Sequence, residues 1–124
     1  MLPRIYIACF LFLSCSSSRM TETDLYFGQS RPDGTMITVS EWNEFAKTDI
    51  PRVFKKGSST ISVTGSWYDP VAGKLISEPT YLVRYVYKKS SQTSRQIDSL
   101  RSWYQQKFRQ QSVLRVDRKV RVHF

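Results

Sequence analysis

The chain has 124 residues, of which 40% are hydrophobic, a length that suits one domain with its own core. Lysine and arginine number 19 against 10 acidic residues, so the formal net charge is +9. The only histidine, His123, stands beside the last residue, and no glycine-rich phosphate loop is present. These counts argue against a histidine-based catalytic triad and a protein-built zinc site, and we expect no metal and no cofactor.

The first residues have the pattern of an export signal. Arg4 is followed by a nine-residue apolar run, which is far shorter than the roughly 20 residues of a membrane-spanning helix. The run ends in Phe12-Leu13-Ser14-Cys15, which resembles the lipobox of bacterial lipoproteins, where the cysteine becomes the first mature residue and carries the lipid. We therefore predict a signal peptide over residues 1–14 and an exported protein anchored to the membrane at Cys15. The alternative is an ordinary secretory signal in which Cys15 is incidental.

The cysteine positions limit the mature domain. Cys9 lies within the predicted signal and Cys15 at its end, so the mature domain forms no internal disulfide. We predict a polar tether over residues 15–22 and one domain over residues 23–124, held together by its apolar core.

Positive charge is concentrated toward the end of the chain. From Arg84 onward there are 11 basic and two acidic residues, a net +9, whereas residues 1–83 sum to zero. Such a surface attracts polyanions. For an exported lipoprotein we expect an anionic envelope polymer or a protein partner, and no nucleic acid. The candidate basic face is Arg115, Lys119 and Arg121, and the alternative is a solubilising face without a specific partner.

The sequence pattern in the first half of the domain predicts a strand followed by a helix. Leu25–Gly28 is a short strand ended by glycine. Thr38 and Glu41 have capping-box spacing, which predicts a helix that begins there and ends at Pro51. Its inward-facing residues are Trp42, Phe45 and Ala46.

Two strands should follow. From Thr60 the hydrophobic period becomes two, with Ile61, Val63, Gly65 and Trp67 on one face, which predicts a half-buried strand. Residues 76–87 are rich in aromatic and β-branched residues on both faces, as is typical of an interior strand.

The last third predicts a helix and a final strand. Ile97, Leu100, Tyr104 and Phe108 recur at helical spacing and form one apolar stripe. Thr93 and Gln96 have capping-box spacing, so we expect this helix to begin near Ser94. Apolar residues alternate from Leu114 to Phe124 but Arg118 interrupts them, which predicts a bulge or turn near Asp117.

The order strand, helix, strand, strand, helix, strand predicts an α+β domain. The ferredoxin-like β-α-β-β-α-β arrangement, with two helices on one face of a four-stranded antiparallel sheet, satisfies both amphipathic stripes. The opposite sheet face should then be covered by a ligand, by the end of the chain or by a second subunit in a homodimer.

Several short motifs carry a family resemblance. Residues 25–28 (LYFG), 41–42 (EW), 50–54 (IPRVF), 65–67 (GSW), 76–83 (ISEPTYLV) and 104–116 resemble, in order and spacing, the DUF3574 family of small exported bacterial proteins. That family has no established activity, so the resemblance implies export and a domain boundary but no reaction. The polar and aromatic positions shared with the family pattern are Tyr26, Arg52, Trp67, Glu78, Tyr104 and Gln110.

These shared positions have two interpretations. Arg52 and Glu78 are either an ion pair that fixes a loop to a strand end or a charged pair at a pocket mouth. Trp67 and Tyr104 are either core or interface aromatics or a ligand platform. A lone general base at Glu78, with Tyr26 or Arg52 stabilising an anion, would be the enzymatic version.

Two functions remain open from the sequence. The preferred hypothesis is a lipid-anchored, non-enzymatic envelope domain with a basic C-terminal face. The alternative is a small dimeric α+β barrel enzyme or ligand-binding protein, in which two sheet faces enclose a cavity.

Overall fold

The computed structural model describes residues 18–124, and the predicted signal peptide and its lipidation site, Cys15, lie outside the described residues. Seven elements follow one another along the chain: β1 (Ser18–Gly28), α1 (Val39–Thr48), α2 (Ile50–Val53), β2 (Ser59–Asp69), β3 (Lys74–Tyr87), α3 (Ser91–Phe108) and β4 (Leu114–Val122).

The strands form one antiparallel sheet in the order β2-β3-β1-β4, with β3 in the interior. With α1 and α3 on one face, this is the predicted ferredoxin-like arrangement. The sheet begins earlier than predicted, since residues 18–22 of the expected tether belong to β1, where they pair with β4.

Aromatic side chains fill the space between the sheet and the two helices. The Phe27 ring lies 4.7 Å from the Tyr104 ring and 5.5 Å from the Phe45 ring, measured between centroids, in edge-to-face contacts. Trp42, Phe45 and the α3 stripe of Ile97, Leu100, Tyr104 and Phe108 are buried, as predicted. Because one strand residue contacts both helices, β1 is the centre of this core.

The two main helices begin differently. The capping box of α1 is confirmed: Thr38 Oγ1 accepts from the Glu41 amide at 3.2 Å, and Glu41 Oε2 accepts from the Thr38 amide at 2.8 Å. The predicted start of α3 near Ser94 is wrong. Ser90 is extended and its hydroxyl accepts from the Thr93 amide at 3.1 Å, so the helix begins at Ser91 and Thr93 lies inside it.

The predicted bulge near Asp117 is also wrong. Pairing between β1 and β4 is continuous from Ser18 opposite Val122 to Tyr26 opposite Leu114. Arg118 therefore keeps its place in the alternation, on the sheet face that points away from α1 and α3. This surface is called the open face below. No bulge is needed, because carboxylates on the neighbouring strand pair with the arginine.

Candidate functional site

Three of the family-shared residues lie on the open face. Directly paired residues of an antiparallel sheet point to the same side. Tyr26 pairs with Leu82, Glu78 with Gly65, and Trp67 with Ile76. The register therefore gathers Tyr26, Glu78 and Trp67 toward the end of the sheet where β1 ends.

Tyr104 and Gln110 approach the same end of β1 from the helix side. The Tyr104 hydroxyl donates to the Gly28 carbonyl at 2.8 Å and lies 3.0 Å from Gln29 Nε2, which donates to it. Gln110 Nε2 donates to the Ser30 carbonyl at 2.9 Å. Burial raises the pKa of Tyr104, so its hydroxyl stays protonated at neutral pH and remains a donor. These two side chains hold the backbone that borders Glu78.

The Glu78 carboxylate lies flat against Gly28. A Cβ added at residue 28 would stand 3.0 Å from Glu78 Oε1 and 3.1 Å from Oε2, closer than such contacts normally allow. The Ser30 amide donates to Oε2 at 3.4 Å, a long hydrogen bond. Neither Gly28 nor Gly65, the residue opposite Glu78, has a positive φ. The missing side chain of Gly28 leaves room for the Glu78 carboxylate, and that of Gly65 leaves room for the Thr80 hydroxyl, which lies 3.1 Å from where a Cβ would stand.

Arg52 is not part of this arrangement. It lies in α2, its side chain is 77% exposed, and it pairs with Asp49 at 3.4 Å. The predicted ion pair between Arg52 and Glu78 is therefore wrong. Pro51 starts a new helical turn instead of a loop toward the strand end, which leaves Arg52 in the helix layer.

A second charged group on the open face was missed in the sequence. The carboxylate of Asp24 is 1% exposed and accepts two hydrogen bonds from Arg84, at 2.8 and 2.9 Å, and one from Arg118. Glu22 also pairs with Arg118, at 3.2 Å, and lies 3.5 Å from Arg84. The alternation of side chains along each strand could have predicted this cluster. Once the strand order is known, that alternation places Glu22, Asp24, Arg84 and Arg118 on the same side of the sheet.

The charges of this cluster perturb one another strongly. The hydrogen bond from Arg84 lowers the pKa of Asp24, outweighing its burial, and the charge of Arg118 acts in the same direction. The same bond raises the pKa of Arg84. The cluster contains two acidic and two basic side chains, so its formal charges cancel at the centre of the open face.

The three residues of the predicted basic face have different environments. The side chain of Arg115 is 11% exposed and pairs with Asp98 and Asp117, each at 3.0 Å. It therefore joins α3 to β4. Lys119 and Arg121 are exposed, and alternation along β4 places them on the side of the sheet that carries the helices. They pair with Thr21 and Arg19 of β1.

Neither a metal centre nor a membrane span is found in the part of the chain that the structure describes. No group of three or more His, Cys, Asp or Glu residues in 18–124 is arranged to hold a metal ion. None of the helices there is long and apolar enough to cross a membrane.

Comparison with known proteins identifies a family. The model of DUF3574, a protein family of unknown function, matches residues 22–124. The chain belongs to this family. The match confirms the resemblance of the sequence motifs to DUF3574, and no curated protein matches the chain.

Two solved structures resemble this DUF3574 chain. One is a phage SAM lyase in complex with S-methyl-5'-thioadenosine, with 13% identity and a TM-score of 0.61 over 85% of this chain and 90% of that one. The other is a phage SAM lyase in the apo state, with 13% identity and a TM-score of 0.60 over 84% and 87%. At this identity the likeness shows a shared fold.

Proposed function

We propose that this chain is an exported, lipid-anchored domain of the bacterial envelope that binds an anionic surface without catalysing a reaction. The observation that carries the proposal is a group of exposed cations at the end of the sheet where β1 begins. We call this group the basic end. It consists of Arg19, Lys55, Lys56, Lys88, Lys89, Lys119 and Arg121.

The topology brings these cations together from four parts of the chain. Arg19 is opposite Arg121, and Thr21 is opposite both Lys119 and Tyr87. Lys88 and Lys89 directly follow Tyr87 at the end of β3, and Lys55 and Lys56 precede β2, whose first residue is at the same end. The cations therefore share an end of the fold although they are far apart in the sequence.

The cations of the basic end form no ion pair within residues 18–124, as is also true of Arg95, whereas the remaining arginines there are paired with acidic residues. Each Lys or Arg near an anionic membrane surface contributes about 1 kcal/mol of attraction. A few such residues supplement a lipid anchor, which by itself binds only weakly.

The expected anchor would lie beside the basic end. β1 begins at Ser18, and the predicted lipidation site is Cys15. Three residues span at most about 10 Å, so a lipid on Cys15 would hold the start of β1 at the membrane surface. The anchor and the cations would then act on the same surface, and charged groups interact over about 8 Å at physiological salt.

The anchor is tested by expressing the wild-type chain beside Cys15→Ala in a bacterial host. We expect the wild type to enter the detergent phase and to carry a diacylglyceryl mass on Cys15, and the variant to do neither. If both proteins are soluble and have the unmodified mass, the lipid-anchored part of the proposal is wrong.

The surface is tested separately, with a chain that begins at Ser16 and so has no lipid. We expect it to sediment with vesicles that contain phosphatidylglycerol and to be released as salt rises. The double reversal Lys119→Glu and Arg121→Glu should weaken binding about tenfold or more, since it removes two attractive charges and adds two repulsive ones.

A matched control keeps the same change of net charge. Lys74→Glu with Lys107→Glu reverses two exposed cations at the opposite end of the sheet, where the β2–β3 hairpin and the last turn of α3 lie. We expect this pair to bind nearly as well as the parent chain. An equal loss of vesicle binding in both double variants would mean that only the net charge of the protein matters. That result would contradict the proposal that the basic end is the binding surface.

A second proposal is the dimeric ligand-binding protein or enzyme, and the open face favours it. Ile61, Trp67 and Leu114 are 44, 48 and 57% exposed on that face, and its central charges cancel. The phage SAM lyase of similar fold is described in complex with S-methyl-5'-thioadenosine, which gives one example of a small ligand held on this architecture. Native mass spectrometry should find a dimer with a co-purified small molecule, and a ligand-free monomer would exclude this second proposal.

A further inference from the structure

The two edge strands of the sheet, β2 and β4, differ in charge. Five of the nine residues of β4 are charged, namely Arg115, Asp117, Arg118, Lys119 and Arg121. Only one of the eleven residues of β2 is charged, Asp69 at its last position, which accepts hydrogen bonds from the Val71 and Ala72 amides of the following turn. Charged side chains are one feature that keeps the edge of a sheet from pairing with another chain. β4 is therefore protected in this way and β2 is not.

β2 also lacks the other features that prevent such pairing. It contains no proline, and its pairing with β3 is continuous from Ser59 opposite Arg84 to Asp69 opposite Lys74, so no bulge bends it away. Its second edge has no neighbouring strand in the part of the chain that the structure describes. Alternate backbone N–H and C=O groups along this edge therefore point away from the sheet, where an extended chain can pair with them.

A cavity of about 220 Å³ lies between β2 and the start of α1. Its lining residues come from the segment that leads into α1, from β2 and from β3, and include Met36, Val39, Ser62, Pro79 and Tyr81. The Tyr81 ring is stacked on the Trp42 ring of the core, with 4.4 Å between centroids, so this part of the lining is held in place by the fold. None of the lining residues within 18–124 is charged. The cavity therefore suits an uncharged, apolar side chain.

The side chains of β2 leave a path from its free edge to this cavity. The residues of β2 that alternate onto the helix side of the sheet are all exposed, namely Thr60, Ser62, Thr64, Ser66 and Tyr68. Four of these five side chains are short. A strand added beside β2 would direct every second side chain to the same side, where one of them can pass over Ser62 into the cavity.

We propose that the free edge of β2 and this cavity form a binding site for an extended, uncharged peptide segment of a partner protein. The peptide adds to the sheet as a fifth strand, its backbone pairs with β2, and one apolar side chain enters the cavity. Its side chains on the opposite face lie beside the apolar residues Ile61, Val63 and Trp67 of β2.

A second copy of this chain fits the edge less well. Each copy has a formal net charge of +9, which opposes self-association. Two β2 strands related by a two-fold axis would also pair antiparallel, so the two basic ends would lie at opposite ends of the joined sheet. Both could not then face one membrane. The choice of a partner over a second copy rests in this last respect on the proposed function, whereas the free edge and the cavity do not.

The test is hydrogen exchange, followed by NMR, of the full-length chain in a non-ionic detergent. The probe is the capped peptide Lys-Thr-Val-Thr-Phe-Thr-Val-Thr-Lys, whose lysines keep it soluble and exclude simple attraction to a basic protein. We expect saturable binding that slows exchange at alternate β2 amides by at least about tenfold. The same peptide with its internal amides N-methylated cannot donate to an edge and should not bind. No protection of the β2 amides, or equal binding of the methylated peptide, would overturn the proposal.

Variants separate the edge from the cavity. Ser62→Lys places a cation on the edge beside the cavity and should weaken peptide binding at least about tenfold. The matched control Ser102→Lys makes the same substitution at an exposed position of α3 and should change nothing. Val39→Ser removes an apolar part of the lining but leaves the edge intact, and should weaken binding several-fold. If Ser62→Lys bound the peptide like the parent, with an otherwise unchanged spectrum, the proposal would be wrong.

Two further results separate this site from the basic end and from self-association. The double reversal Lys119→Glu and Arg121→Glu should bind the peptide at least as well as the parent chain, whatever its effect on vesicle binding. Loss of peptide binding in that variant would mean that the edge of β2 is not the site. A peptide-free chain that is dimeric by native mass spectrometry and already protected at the β2 amides would show that a second copy occupies the edge, and would overturn the proposal.

Discussion

The two faces of the sheet use the same strands for different purposes. On the helix side, Leu25, Phe27 and Val83 are completely buried under α1 and α3. On the open face, one residue along, the neighbouring positions hold Asp24, Tyr26 and Arg84, which make hydrogen bonds or remain partly exposed. The difference shows that the folding free energy comes mainly from one face, and that the side chains available for binding lie on the other.

The helix side should therefore be far more sensitive to truncation. Phe27→Ala removes a ring that contacts Trp42, Phe45 and Tyr104, and we expect a loss of about 4 kcal/mol in the free energy of unfolding. Urea denaturation followed by circular dichroism measures it. Ile61→Ala on the open face is the control and should cost less than about 1 kcal/mol, since its side chain is 44% exposed. Similar losses for both variants would erase the distinction between the faces.

The buried carboxylate of Asp24 on the open face should contribute nearly as much to the free energy of unfolding as a core side chain does. Asp24→Asn leaves the guanidinium groups of Arg84 and Arg118 without their buried carboxylate. We expect a loss of about 3 kcal/mol, near the low end for a broken buried pair, because both arginines are partly exposed. The exposed pair of Asp33 with Arg109 provides the control, and Asp33→Asn should leave the free energy of unfolding nearly unchanged.

The same carboxylate predicts how stability depends on pH. The pKa of Asp24 is lowered from its ordinary value of 3.8, so the unfolded chain binds its proton first. Its contribution is fully present above that value and is lost as the pH falls through the lower, folded pKa. The difference between wild type and Asp24→Asn, measured by urea denaturation, should be constant from pH 7 to about 5 and shrink below about pH 4. A difference that stays constant to pH 3 would contradict this assignment.

Local patterns predicted the fold well because each was consistent with the others. The α3 stripe and the Thr38 capping box were found, since both depend on residues three or four positions apart. The start of α3 was misplaced because Ser90 and Thr93 are both good caps, and only the extended backbone at Ser90 decides between them.

Contacts between distant strands could not be predicted in the same way. Arg118 was taken as a fault in the alternation of β4, because its partners Glu22 and Asp24 are almost one hundred residues earlier. For the same reason Arg52 was paired with Glu78, although its partner is Asp49, three residues earlier in the chain. Register across the sheet also decides the candidate site, since it brings Gly28 and Gly65 to either side of Glu78.

The smallest expected effect tests whether the open face is free in solution. Trp67 is 48% exposed, so Trp67→Ala should cost less than about 1 kcal/mol if the chain is a monomer. Burial of a large aromatic ring in a dimer would instead raise the loss to about 3 kcal/mol or more. Urea denaturation at two protein concentrations distinguishes the cases, because only a dimer has a midpoint that rises with concentration. A small loss with no such dependence would leave Trp67 available to a ligand.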